Sequence, residues 1–79
     1  MATNNANKPL KKGKVIAKYA LNFRAKPNVD AEKLAEGPIL SGEFIDIVSK
    51  RGAWYRVNYK GNSGFVMAEF IEVLEQEDK

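Results

Sequence analysis

Neither cysteine nor histidine occurs anywhere in this chain. Without cysteine there is no thiol nucleophile, and no disulfide can staple the fold. Without histidine there is no imidazole base, and together the two absences remove the usual zinc and iron ligand sets. Long apolar runs are missing as well. No stretch approaches the roughly 20 apolar residues of a membrane span, and the polar start Met1-Ala2-Thr3-Asn4-Asn5-Ala6-Asn7-Lys8 lacks the apolar region of a signal peptide. The chain is therefore expected to be cytoplasmic if Met1 is the true start, and surface-bound or secreted if it is excised from a larger protein. Tryptophan occurs once, at position 54, and proline three times. What remains for chemistry is carboxylates, hydroxyls and lysines. Glu43 and Asp46 fall three apart on one extended segment, hence on opposite faces, and do not form an acid–base pair. Gly61-Asn62-Ser63-Gly64 lacks the downstream lysine of a phosphate-binding loop. These exclusions point away from an enzyme and away from a cofactor.

The chain has 79 residues, enough for one domain, and 44% of them are hydrophobic. A domain of about 60 residues buries only about 60% of the surface its unfolded chain exposes. With no covalent staple, a compact apolar core must carry the stability. Formal net charge is +3. Lysines cluster early (Lys8, Lys11, Lys12, Lys14, Lys18) and carboxylates late (Glu69, Glu72, Glu75, Glu77, Asp78). Such an asymmetry suits a polyanion at the basic end, but charged chain ends are more often solvating tails. Residues 1–13 read as a polar, basic arm and residues 75–79 as an acidic tail, leaving residues 14–74 as the folded domain.

Within that domain the apolar positions alternate. Val15, Ala17, Tyr19, Leu21 and Phe23 occupy every second position, the mark of a half-buried strand. Ala25-Lys26-Pro27-Asn28 ends the run. Ala31 to Glu36 consists of good helix formers before Gly37-Pro38, which predicts one or two helical turns inside a long loop. Glu43 to Ser49 reads as a strand with Ile45 and Ile47 inward and Phe44 and Asp46 outward. Trp54 to Tyr59 follows, with Tyr55, Val57 and Tyr59 on one face and Trp54, Arg56 and Asn58 on the other. A hairpin turn over Lys60 to Ser63 leads to a short strand from Gly64 to Met67. A single 3₁₀ turn over Ala68 to Phe70 and a last strand from Ile71 close the domain. Five or six short strands with regular turn signals make a small all-β barrel. Val15-Ile16 is placed on an edge strand, where the flanking lysines discourage pairing with another chain, so a monomer is expected.

Five segments carry a resemblance. Ala20-Leu21-Asn22-Phe23-Arg24-Ala25-Lys26-Pro27 resembles the opening motif of bacterial SH3-like (SH3b) domains. Leu40-Ser41-Gly42-Glu43 with Ile45 to Val48 resembles a second block, Trp54-Tyr55-Arg56-Val57 a third, and Gly61 to Val66 a fourth. Phe70-Ile71 stands where that family has an aromatic followed by leucine. The resemblance spans residues 14–74. It implies an SH3-like barrel whose long first (RT-type) loop holds the helical turn, with a 3₁₀ turn before the last strand. Two departures stand out. The segment between Pro27 and Gly42 is longer than usual, and Ala53 replaces a glycine before the tryptophan.

By that resemblance the chain is a non-catalytic binding module that takes a peptidoglycan stem or cross-bridge peptide, or another cell-wall peptide, in an aromatic groove near Trp54. The candidate ligand-binding set is Trp54, Tyr19, Phe23, Arg24, Tyr59, Phe65 and Phe70. For Tyr19, Tyr59, Phe65 and Phe70 a core or rim role competes with ligand contact, because a small barrel needs alternating aromatics simply to fold. Phe44, expected outside, either covers Leu34 or anchors a partner. An intracellular protein–protein adaptor is the alternative function. Nucleic-acid binding ranks third: Arg24, Lys26, Arg51, Arg56 and Lys60 interleave with Trp54 and Tyr59, but carboxylates are interspersed. Eukaryotic SH3 domains read Pro-rich peptides with an acidic first loop. Here that loop carries Asn22, Arg24 and Lys26, and Met67 and Phe70 stand in place of proline and tyrosine, which disfavours such ligands.

Overall fold

The computed structural model describes residues 11–74. Seven strands follow one another: β1 (Lys11–Val15), β2 (Ala20–Leu21), β3 (Ile39–Leu40), β4 (Phe44–Arg51), β5 (Trp54–Tyr59), β6 (Asn62–Met67) and β7 (Ile71–Leu74). A 3₁₀ turn, Ala68–Phe70, precedes β7, as expected. The five longer strands form one antiparallel sheet in the order β6-β5-β4-β1-β7, and β2 pairs with β3. The protein is an all-β fold. The strand count exceeds the expected five or six because β2 and β3 are two-residue pairings. Lys11 to Gly13, expected to belong to the N-terminal arm, pair in β1 with β4, and Lys12 and Gly13 also pair with β7. The rest of that arm and the acidic tail lie outside the described residues.

Parity governs the core. Ile45 and Ile47 of β4, Val57 and Tyr59 of β5, Val66 of β6 and Ile71 of β7 meet Val15, Ala17, Leu21, Phe23 and Ile39 in one cluster. Tyr55, Leu34, Phe70 and Val73 pack against it, half-buried. Phe44 and Asp46 point away, and Asp46 accepts a 2.8 Å bond from Lys12 across β1 and β4. Glu43 turns the other way to Tyr59, so the two carboxylates stand apart as their spacing requires.

Three expectations need correction. The alternating segment from Val15 to Phe23 is not one strand. β1 ends at Val15, and the backbone bends before β2 resumes at Ala20. The Ile16 amide donates to the Phe70 carbonyl, and the Tyr19 carbonyl accepts from Ser41. The bend throws Tyr19 outward, 75% exposed, while Ala17, Leu21 and Phe23 stay buried. Nor is β1 an edge strand: it lies between β4 and β7, leaving β6 and β7 at the sheet's edges.

The third concerns the long loop, where no helix forms among the described residues. Six good helix formers are too few to offset nucleation. The loop's amides find other partners instead. Leu34 donates to the Phe23 carbonyl at 2.7 Å and Ala25 to the Glu32 carbonyl at 2.8 Å, while the bonds from Ala31 to Asn28 and from Gly37 to Leu34 close isolated turns. The loop is thus a folded-back ribbon with Leu34 against the core, beside Gly64. A Cβ at Gly64 would stand 2.6 Å from Phe23 Cε1 and 2.7 Å from Leu34 Cδ1, so the ribbon's approach requires that glycine.

Candidate functional site

The hairpin of β5 and β6 sets the site's floor. Lys60 and Gly61 both adopt positive φ, 52° and 80°, joining the paired residues Tyr59 and Asn62 through a two-residue loop. That loop fixes the register and places Trp54 opposite Met67 and Arg56 opposite Phe65. Trp54 therefore faces away from the core cluster, as its parity indicates, yet it is only 9% exposed. It shares one lining with residues of the bend and of the first loop. The amide of Ala68 bonds the carbonyl of Ala53 at 2.8 Å, bringing the 3₁₀ turn against the same end of the hairpin.

A groove of about 290 Å³ results. Trp54 and Met67 contribute from the hairpin, Phe70 from the 3₁₀ turn, and Ala17 to Asn22, Arg24 and Val29 from the bend and first loop, with Leu21 among them. Tyr19 and Val29 stand exposed at its rim. The Lys18 ammonium lies 5.3 Å from the Tyr19 ring centroid. Arg24 has a second task. Its Nη1 donates 2.8 Å to the Ala31 carbonyl, and its backbone pairs with Phe65 in both directions, so it ties the loop to β6.

Four of the seven candidate residues, Trp54, Tyr19, Arg24 and Phe70, line this groove; Phe23, Tyr59 and Phe65 do not. Phe23 is fully buried and meets Tyr59 edge to face at 5.7 Å. Tyr59 donates its hydroxyl to Glu43 Oε1 at 2.6 Å. That bond, with burial and the carboxylate's charge adding to it, pushes the Tyr59 phenol from 10.0 up to about 12. Both rings belong to the core cluster. Phe65 sits half-buried on β6 opposite Arg56, which bonds Ser63 rather than joining the groove. Of the five basic residues considered for nucleic acid, Arg24 alone lines the groove. Phe44 is exposed, and Leu34 packs beside Gly64.

Lys18, Val29 and Met67 were not among the candidates. Met67 stands across from Trp54 because Lys60 and Gly61 alone make the turn; the longer turn expected over Lys60 to Ser63 would have set it across from Arg56. Val29 reaches the groove only because the loop folds back through the backbone bonds of Arg24 and Leu34, which no local pattern announces.

The bacterial SH3 domain family matches residues 20–72. The match covers more than half of the chain and runs from β2 into β7, taking in the first loop, the hairpin and the 3₁₀ turn. This chain belongs to the bacterial SH3 domain family. A search of curated proteins gave no match. Among the described residues, no helix is long and apolar enough to cross a membrane.

Proposed function

We propose that this protein is a non-catalytic binding module that holds a peptide in the groove around Trp54. The observation that carries this reading is the convergence of Trp54, Tyr19, Phe70, Met67 and Val29, from four separate parts of the chain, on one concave surface. A nearly covered indole with exposed apolar rims is the form of a peptide cleft, since rigid aromatic faces give contact area at low entropic cost. Family membership directs the finer reading to cell-wall peptides: a peptidoglycan stem or cross-bridge.

Co-sedimentation with purified sacculi tests it. Wild-type protein is expected in the pellet, and Tyr19→Ala, which removes an exposed ring the core does not use, is expected to stay largely in solution. Equal partition of the two proteins would overturn the groove's role, and wild-type protein left wholly in solution would overturn the cell-wall ligand. A second reading, an adaptor for another protein, draws on Ile16, Leu40 and Phe44, which are exposed and do not line the groove. Under that reading Phe44→Ser abolishes partner capture while Tyr19→Ala does not.

A further inference from the structure

The charged residues that line the groove are of one sign. Its lining includes two cations, Lys18 and Arg24, and no carboxylate. The Lys18 ammonium is drawn over the rim of the groove by the Tyr19 ring. The Arg24 guanidinium is held in place by the Ala31 carbonyl through one nitrogen, which leaves its remaining N–H groups for a ligand. The nearest carboxylates in sequence, Asp30 beside Val29 and Glu69 beside Phe70, are exposed and outside the lining. A cationic peptide would thus meet two like charges over a low-dielectric aromatic floor, whereas an anionic one would meet opposite charges there.

We infer that the groove selects acidic peptides: an extended segment with an apolar side chain seated on Trp54 between Phe70 and Tyr19, and a carboxylate directed to Lys18 and Arg24. The inference rests on the peptide-groove reading and adds the sign of the ligand's charge to it. A nucleic acid is the other polyanion to consider. The observations favour a peptide, because Arg51, Arg56, Lys26 and Lys60 lie outside the lining. Two cations and one covered indole do not make the long basic, stacking track that single strands use.

Trp54 is the only tryptophan, so the intrinsic fluorescence of the unmodified protein reports directly from the groove. The experiment titrates a short capped peptide with a leucine–phenylalanine centre flanked by glutamates, its glutamine and lysine counterparts, and a single-stranded oligonucleotide, each at low and moderate salt. The glutamate peptide is expected to bind tightest and to weaken with salt. Lys18→Glu alters an exposed side chain outside the core. It is expected to weaken the glutamate peptide by about two- to fivefold, the scale of an exposed ion pair, and to strengthen the lysine peptide. Equal or tighter binding of the glutamine or lysine peptide would overturn the acidic preference while leaving the groove reading intact. Tighter binding of the oligonucleotide, with a steep salt slope, would overturn the choice of a peptide. If no ligand perturbs Trp54, the acidic preference and the groove reading fall together.

Discussion

Tyr59 shows how one side chain changes role between the sequence and the fold. As an aromatic beside a basic turn it qualified for stacking on a ligand, yet its ring is buried against Phe23 and its hydroxyl is committed to Glu43. This O–H to carboxylate bond joins β5 to the residue that introduces β4. Tyr59→Phe keeps the ring and removes the bond, leaving a half-buried carboxylate without its donor. The expected loss at neutral pH is about 1.5–3 kcal/mol, the range for hydrogen bonds to charged groups, read as a lower urea midpoint at unchanged slope. The pH dependence follows from the raised phenol. Its value of about 12 in the folded protein exceeds the ordinary 10.0, so the unfolded chain releases this proton first. The contribution is fully present below pH 10.0 and is lost as pH rises toward about 12. The comparison with Tyr59→Phe isolates the phenol. Wild-type stability is expected to fall more steeply there than that of the variant. Parallel curves would show that the bond to Glu43 does not hold the proton.

At the scale of elements, strands were legible and the long loop was not. Strand parity is set by local geometry, so the inward positions Ile45, Ile47, Val57 and Tyr59 could be read directly from alternation. The hairpin was legible for the same reason, although the turn is tighter than the four residues expected: Lys60 and Gly61 alone make it. Alternation misled at Tyr19, because a bend between two strands turns that one side chain outward while Ala17 and Leu21 on either side stay buried. It also left the groove's far wall invisible, since Val29 depends on pairings between distant residues. Helix propensity misled from Ala31 to Glu36, where bonds to Phe23 and Asn28 replace those of a helix. The turn carries a prediction. Gly61 at φ 80° suits a residue without Cβ, so Gly61→Ala should cost about 1–2 kcal/mol, the left-handed penalty for an L-residue. Gly61→Asn should cost less, because asparagine tolerates that region. Chemical denaturation orders the three proteins. An alanine variant as stable as wild type would mean that the hairpin does not depend on this left-handed turn.

At the scale of the whole molecule, the two sheets share one core. Leu21 and Ile39 from the small sheet are buried in the same cluster as Val57, Val66 and Ile71 from the large one. The first loop joins that cluster through Phe23 and Leu34, and joins β6 through the paired backbones of Arg24 and Phe65. A loop attached in this way is not an independent flap, and the groove exists only while the loop is docked. Trp54 lies where hairpin, loop and 3₁₀ turn meet, so its fluorescence follows the groove, whereas far-ultraviolet circular dichroism follows the large sheet. One shared core predicts that the two signals unfold together in urea, with the same midpoint and slope. An early fluorescence transition would mean that the loop opens before the sheet. The groove would then be assembled in a separate step, and a peptide would have to supply the free energy of docking the loop as well as that of its own contacts. Coincident transitions place the groove within the cooperative unit, preorganised for its ligand before any ligand arrives.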